Sequence, residues 1–309
     1  MLERIRYRNW DNCYKLSNGT IDLLVLADVG PRIIFYGFCG GENQFHEVES
    51  DAGLLGGQQF RLYGGHRLWV SPEIERTYFP DNRPVTVAQI GNTARFTACP
   101  EEFPPGTNLQ KEIEIELASE GPGVRLTHRI RNGASGPTEL APWTPTMMRA
   151  GGRAILPLPP RIAMDKDHYQ PVGLFGIWSF TDFADPRWTF GTEFIQLKHL
   201  STPVGRFPEQ MGGIHNSAGW GAYFRDGSLF VKRARVIAGG RYPDFGCNFE
   251  VFTNPEFLEL ETLGPMVELQ PGDTVEHVER WWLFAGVSRG EGDIWIQSEI
   301  VPLVPPSMV

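Results

Sequence analysis

Short runs of alternating hydrophobic and polar residues recur along most of this chain, for example at 20–26, 111–117 and 229–236. Because successive side chains of a β-strand point to opposite faces, this alternation predicts strands with one apolar and one polar face. Asn-Gly, Asp-Gly and Gly-Gly pairs separate many of the runs, and such pairs favour tight turns. The pattern therefore predicts consecutive antiparallel hairpins, with helix limited to short pieces near 51–55 and 181–185.

So many strands must avoid leaving exposed sheet edges, and a barrel, a propeller or a large double-sheet sandwich can each achieve this. No repeat of blade length is present, which argues against a propeller. No linker or low-complexity segment divides the chain. We therefore predict an all-β protein, folded as one domain over residues 1–309, in which a groove for ligands crosses one sheet of a large sandwich.

The segment 257–284 places acidic residues inside an otherwise apolar strand. Glu259 and Glu261 alternate with Leu258 and Leu260, so both carboxylates share one face and lie about 7 Å apart. Such a face is either the solvated outer surface of an antiparallel sheet or the wall of a polar groove.

The preceding segment, 242–253, has the same alternation and places Asn248 and Glu250 on one face. Asn254 and Pro255 form a turn signal of the kind that joins neighbouring strands. If both strands present acids to one side, the carboxylates repel one another, which raises the pKa of at least one of them. Groups with perturbed pKa values are common at functional sites, and this indicates a candidate site.

Charge and cysteine content narrow the functional classes. The formal net charge is −9 and no basic run is present, which argues against nucleic acid or an anionic membrane as a partner. The N-terminal residues lack the apolar core of a secretory signal, so a cytoplasmic location is expected. The four cysteines are scattered, without the spacing of a zinc site or a disulfide scaffold, and are expected to be reduced.

Metal and nucleotide sites are not predicted. The histidines show no ligand spacing, and His46-Glu47 is not a zinc helix motif. Gly53, Gly56 and Gly57 do not form a phosphate loop between a strand and a helix. We therefore expect neither a metal nor a cofactor.

Several segments resemble a known family. The segment LELET at 258–262 is followed by LQPGD at 269–273 and WWLF at 281–284, and this order resembles the C-terminal signature of the aldose 1-epimerases, also called galactose mutarotases. GGHRLW at 64–69 resembles their His- and Arg-bearing loop. Their opening hairpin is similar to residues 18–26, 30–34 and 42–45.

The resemblance implies a galactose-mutarotase-like β-supersandwich of many antiparallel strands, with very little helix and a sugar groove on its concave face. In those enzymes a glutamate removes the proton of the anomeric hydroxyl while a histidine protonates the ring oxygen, and Glu261 matches the position of that glutamate. Their second histidine motif should fall at 139–147, where Trp143 stands instead. The chain therefore looks like a divergent branch of the superfamily.

Ring opening needs an acid as well as a base, and His66 is the candidate acid. Its alternative role is that of a loop histidine bonded to backbone. Arg67 could bind paired sugar hydroxyls, a carboxylate or a phosphate, or it could neutralise Glu73 or Glu75.

The remaining candidates for substrate binding fall into three groups. Aromatic rings could stack on a pyranose or pack in the core, oxygen-bearing side chains could bind hydroxyls or serve in turns and edges, and an arginine could attract an acidic sugar or form a surface ion pair. The aromatic candidates are Trp69, Trp143 and Tyr242, the oxygen-bearing ones are Asp244, Asn248, Glu250 and Glu259, and the arginine is Arg61.

These features favour an isomerase of the mutarotase type that interconverts sugar anomers, with Glu261 as base and His66 as acid. One alternative is a carbohydrate-binding protein that kept the groove and lost the acid. The other is a lyase or hydrolase on acidic glycans, in which Arg61 and Arg67 hold a uronate. In each case the expected partner is a small sugar or glycan, bound by a monomer or homodimer.

Overall fold

The computed structural model describes residues 2–102, 104–202 and 204–306. Strands dominate these residues and helix is confined to short turns, which confirms the predicted all-β class. The strands are β1 Leu2–Tyr7, β2 Trp10–Ser17, β3 Ile21–Leu26, β4 Arg32–Phe38, β5 His66–Arg67, β6 Trp69–Ser71, β7 Thr86–Ile90, β8 Thr93–Thr97, β9 Leu109–Leu117, β10 Val124–Asn132, β11 Thr138–Met148, β12 Arg153–Pro157, β13 Phe175–Ile177, β14 Trp188–Phe190, β15 Phe194–Lys198, β16 Gln210–Ile214, β17 Trp220–Arg225, β18 Ser228–Ala234, β19 Phe249–Thr253, β20 Leu258–Leu263, β21 Val267–Leu269 and β22 Thr274–Phe284. The helical segments are 3-10 turns at Glu49–Asp51, Glu75–Tyr78 and Val301–Leu303, an α-helical turn α1 at Gly292–Trp295 and a π turn at Ile296–Ile300.

The strands form two antiparallel sheets that pack face to face. The first sheet has the order β1-β2-β3-β4-β5-β11-β20-β19-β16-β13, and β6 and β21 also pair with β11. The second sheet has the order β14-β15-β12-β17-β18-β22-β10-β9-β8-β7. The predicted sandwich is therefore confirmed, while the assignment of residues 1–309 to one domain stays a prediction.

The main hydrophobic core lies between the two sheets. Leu258 and Leu260 of β20 are fully buried there, as the alternation predicts. From the second sheet, Trp281 and Phe230 contact each other with ring centroids 5.5 Å apart. Burial of these large apolar side chains is the principal force that holds the sheets together.

The face of the first sheet that is turned away from the second sheet is called the outer face below. Loops within 39–65 and 72–85 cover part of it. Arg32 of β4 is fully buried and ties the two loops together, because its guanidinium donates to Leu62 O at 2.8 Å and lies 2.6 Å from Asp81. The side chains on this part of the outer face are therefore partly screened from water.

The two helices predicted from the sequence do not form as expected. Only a 3-10 turn at Glu49–Asp51 lies near the first, and 181–185 contains no helix. In the second segment, Asp182 Oδ1 accepts the backbone N–H of Ala184 at 2.9 Å. Such local bonding of an aspartate side chain favours a turn over a helix. Among the described residues, no helix has both the length and the apolar character needed to cross a bilayer.

Candidate functional site

Two glutamates of β20 lie on the outer face. Leu258 and Leu260 point into the core, so Glu259 and Glu261 point away from the second sheet. Both carboxyls are nevertheless buried, since Glu259 is 9 % exposed and Glu261 is 1 % exposed. Glutamate is rarely buried to this extent without a partner or a function. The solvated-surface alternative is therefore wrong for these residues.

Trp143 of β11 holds the carboxylate of Glu261. Its indole Nε1 donates to Glu261 Oε2 at 2.5 Å. The indole ring packs edge-on against Trp69, with centroids 5.0 Å apart, and both rings are buried. Trp143, which stands where a histidine motif is expected, therefore orients Glu261, and Trp69 packs against the Trp143 ring.

Arg67 of β5 faces Glu259 across β11. Its Nη2 lies 3.5 Å from Glu259 Oε1, which is an ion-pair distance but is long for a charge-assisted hydrogen bond. The guanidinium carbon lies 4.0 Å from the centre of the Trp69 ring, a cation–π contact. Within the described part of the chain, Arg67 Nε and Nη1 have no hydrogen-bond partner although the side chain is buried. The guanidinium therefore has N–H donors that no described residue uses.

A third glutamate joins the site from the next strand. Glu250 of β19 pairs directly with Glu261 in the antiparallel register, which places their Cβ atoms about 5 Å apart. Glu250 is 1 % exposed, and none of the described residues gives its Oε1 a hydrogen bond. The clustering of acids on neighbouring strands that the sequence predicts is therefore confirmed.

Burial and mutual repulsion perturb these acids. Burial, followed by the nearby charge of Glu261, raises the pKa of Glu250 well above its usual value. Burial and the charge of Glu259 likewise raise the pKa of Glu261, although the bond from Trp143 opposes the shift. Burial raises the pKa of Glu259, although the positive charge of Arg67 opposes the shift. Such a group of interacting carboxyls retains protons that isolated carboxyls lose, so it can hold an acid next to a base.

Two further acids complete what we call the carboxyl cluster, defined as Glu73, Asp244, Glu250, Glu259 and Glu261. Asp244 lies beside Glu250, and burial raises its pKa. The charge of exposed Glu73 acts on the other four acids, so this side chain lies at the rim of the cluster. At the same rim, the hydroxyl of Tyr78 donates to Glu73. The sequence indicates Glu73 only as a possible counterion of Arg67, since no local pattern marks it as a site residue.

His66 does not face this cluster. It is fully buried in the interior between the sheets, where its Nδ1 lies 2.8 Å from Thr146 Oγ1 and its Nε2 lies 2.8 Å from His128 Nε2. Neighbouring residues of a strand point to opposite faces, and Arg67 takes the outer one. This corrects the prediction that His66 serves as the acid beside Glu261, because the first sheet separates the two side chains.

The interior histidines form an ordered chain of hydrogen bonds. His128 Nδ1 must donate to the carbonyl oxygen of His277 at 3.1 Å, because a carbonyl only accepts. His128 Nε2 therefore accepts from His66 Nε2, and Thr146 donates to His66 Nδ1. Burial lowers the pKa of His128 to about 4 and that of His277 to about 3, so both imidazoles are neutral at pH 7. His128 is therefore a buried interior residue with both ring nitrogens hydrogen-bonded.

Glu279 and Lys232 form a buried ion pair next to this chain. Lys232 Nζ lies 3.0 Å from Glu279 Oε1, and Trp281 Nε1 donates to Glu279 Oε2 at 2.8 Å. Candidate ligand atoms of His66, His128 and Glu279 lie within 4.8 Å of one another. Each of these residues already has hydrogen-bond partners, and Lys232 neutralises the carboxylate. The donor set is therefore satisfied by the protein itself.

The other predicted binding residues use their polar atoms in local structure. Arg61 donates to Gly56 O at 2.7 Å within its own loop. The Tyr242 hydroxyl accepts the backbone N–H of Ile237 at 2.8 Å. Asn248 accepts from the backbone of Asn216 at 2.6 Å and donates back to it at 3.2 Å, so both ends of its amide are occupied.

The structure gathers one set of predicted residues on the outer face: Arg67, Trp69, Trp143, Asp244, Glu250, Glu259 and Glu261.

Comparison with known proteins identifies the fold. No protein-family model matches the chain, and no curated protein matches it. Among solved structures, a galactose mutarotase-like protein from Lactobacillus casei aligns with a TM-score of 0.59 and 12% identity over 88% of this chain and 100% of that one. A galactose mutarotase related enzyme from Lactobacillus acidophilus aligns with a TM-score of 0.54 and 8% identity over 90% of this chain and 99% of that one. A galactose mutarotase-like protein from Clostridium acetobutylicum aligns with a TM-score of 0.52 and 11% identity over 92% of this chain and 98% of that one. The chain therefore has the galactose-mutarotase-like fold that its motifs predict, in a divergent sequence.

Proposed function

We propose that this protein binds a monosaccharide at the carboxyl cluster and interconverts its anomers by acid–base ring opening. The observation that carries the proposal is the direct pairing of Glu250 with Glu261, both buried and both with raised pKa values. Two adjacent carboxyls of this kind can share one proton, so that one acts as acid and the other as base. The fold shared with the mutarotase-like structures adds support.

In the proposed reaction Glu261 removes the proton of the anomeric hydroxyl while Glu250 protonates the ring oxygen. The C1–O5 bond breaks, the aldehyde forms, and closure after rotation about C1–C2 gives the other anomer and returns both protons. Trp143 engages Glu261 Oε2, so the second carboxylate oxygen is the one that accepts the proton. Glu250 takes the role that the sequence assigned to His66.

Binding would use the donors and acceptors left over on the outer face. Arg67 Nε and Nη1 can donate to sugar hydroxyls, and Glu259 can accept from them. Trp69 does not offer a free stacking surface, since Arg67 covers one side of its ring and Trp143 packs on its edge. A sugar cannot reach carboxyls that are 1 % exposed, so entry requires the rim at Glu73 and Tyr78 to move outward.

A second candidate function is sugar binding without turnover. It is favoured by one observation, the confinement of His66 to the interior, which leaves the site without the imidazole acid expected for a mutarotase. A lyase or hydrolase on acidic glycans is less favoured, because Arg61 bonds within its own loop and the carboxyl cluster would repel a uronate.

Anomer exchange measured by NMR distinguishes these functions. Wild-type protein should accelerate exchange of at least one hexose, pentose or sugar phosphate. Glu261→Gln should lower the rate about 100-fold or more, in line with the loss of a general base. Glu116→Gln, which alters an exposed carboxyl on the second sheet, is the matched control and should match wild type. Absence of acceleration with every sugar, combined with binding that Glu261→Gln abolishes, would favour the non-catalytic function.

A further inference from the structure

We infer that the ligand of the carboxyl cluster is an amino sugar, whose protonated amino group binds between Glu250 and Glu259. The inference rests on the proposed site and specifies the substrate class that it selects. It concerns ligand charge, which is independent of whether the bound sugar is turned over.

The first argument is the charge balance of the outer face. The carboxyl cluster contributes acids from β19, β20 and two loops, and Arg67 is the cation that faces them. Arg32 is engaged by Asp81 at 2.6 Å. Lys232 lies on the interior side, where Glu279 neutralises it at 3.0 Å. A bound positive charge would therefore offset the excess of acids, whereas a phosphate or uronate would add to it.

The second argument is the shortage of hydrogen-bond donors. Glu250 Oε1 and Glu259 Oε1 are buried acceptors to which the described residues donate no hydrogen bond. The N–H of Trp143 is committed to Glu261 and the hydroxyl of Tyr78 to Glu73, while Arg67 comes only within 3.5 Å of Glu259 Oε1. Buried polar atoms are normally paired, so unpaired ones point to water or a ligand. An ammonium group has three donors and no acceptor, which matches this set of acceptors.

Binding of an amine should also release protons. Burial and mutual repulsion raise the pKa values of Glu250, Glu259 and Glu261, so the free cluster retains protons at a pH where isolated carboxyls have lost them. An adjacent ammonium favours the ionised carboxylate of Glu259 and lowers its pKa, while Glu250 and Glu261 keep the one proton that ring opening uses. Proton release therefore distinguishes a charged amine from a neutral sugar, which does not alter the charge balance.

Isothermal titration calorimetry of wild-type protein at about pH 6, in two buffers with different ionisation enthalpies, tests the inference. The ligands are D-glucosamine, D-glucose, N-acetyl-D-glucosamine, D-glucuronate and ethanolamine. D-glucosamine should bind at least about tenfold more tightly than the neutral sugars, as one charge-assisted hydrogen bond provides. Its binding should release protons to the buffer, and D-glucuronate should bind more weakly than D-glucose.

Matched variants locate the effect. Glu250→Gln should reduce the preference for D-glucosamine to about threefold or less, while Glu116→Gln should keep it. Equal binding of D-glucosamine and D-glucose would overturn the inference but leave the proposed function standing if anomer exchange is accelerated. Binding of ethanolamine as tight as that of D-glucosamine would also overturn it, because the site would then select an amine and not a sugar. Failure of every sugar to bind would overturn both proposals.

Discussion

Glu250 and Glu261 lie directly opposite each other on adjacent strands, and each is 1 % exposed. Two ionised carboxylates in that position repel each other strongly, because the buried environment screens charge poorly. The pair therefore binds protons more tightly than isolated glutamates do. This coupling supports the proposal that the outer face of the first sheet is a site for acid–base chemistry.

Neutralising one member of the pair should change the titration of the other. Glu261→Gln removes a negative charge next to Glu250, so the pKa of Glu250 should fall towards its usual value. Carbon-13 NMR of the glutamate carboxyl carbons, recorded across the acid and neutral range, measures this shift. An unchanged titration of Glu250 would mean that the two groups are not coupled.

Trp143→Phe tests the bond that holds Glu261. The indole N–H stabilises the ionised carboxylate, so its loss should raise the pKa of Glu261 further. If Glu261 is the base in anomer exchange, the acid limb of the pH–rate profile should move to higher pH. Trp69→Phe keeps an aromatic ring and leaves the Trp143 bond to Glu261 in place, so it serves as the control. A shift in both variants alike would assign the effect to altered packing.

The buried carboxyls should make stability depend on pH in a defined direction. A folded-state pKa above the unfolded value means that the folded state binds more protons, so the stabilisation is complete below the unfolded pKa and is lost as pH rises through the folded one. Glu250→Gln cannot ionise and should remove part of this loss. Urea unfolding from about pH 4 to pH 8 should therefore show a flatter profile for the variant than for wild type. A steeper profile would contradict the assignment.

The interior ion pair should be needed for stability. Lys232→Met leaves the Glu279 carboxylate buried without its cation, and removal of one partner of a buried pair costs about 3–5 kcal/mol. The double variant Lys232→Met with Glu279→Gln should recover part of that loss. Urea unfolding measures both changes. Additive losses in the double variant would show that the pair is not coupled.

His66 should prove structural. His66→Gln should lower the free energy of unfolding by about 1–3 kcal/mol, because it disrupts a fully buried hydrogen-bond chain. In protein that remains folded, the pH dependence of anomer exchange should be unchanged. Nitrogen-15 NMR of wild type should show His128 protonated on Nδ1 and His66 protonated on Nε2. A pH–rate profile that loses a limb in the variant would restore His66 as the acid.

Sequence patterns predicted what depends on local periodicity. Alternation within β20 was sufficient to place Glu259 and Glu261 on one face, since side chains alternate with a period of two. The all-β class followed from the same pattern and from turn signals. The divergence at Trp143 was also visible, but its bond to Glu261 was not, because it depends on the pairing of β11 with β20.

The placement of His66 on the interior side of the first sheet could not be predicted from local alternation. His66 and Arg67 form a strand of two residues, too short for alternation to be recognised. Adjacent residues of a strand cannot both face one groove, so assigning both to the sugar was inconsistent with β geometry. Glu73 was not assigned to the site because its approach to the cluster depends on the loop after β6. The positions of His66 and Glu73 depend on contacts between segments that are distant in the sequence, and composition does not reveal such contacts.

A crystal structure of the protein soaked with a monosaccharide would show whether the carboxyl cluster binds sugar. We expect a sugar on the outer face of the first sheet, within hydrogen-bond distance of the Glu261 and Glu250 carboxyls and of the Arg67 guanidinium, with the rim at Glu73 and Tyr78 displaced. A sugar bound elsewhere, with these carboxyls closed and unchanged, would contradict this expectation.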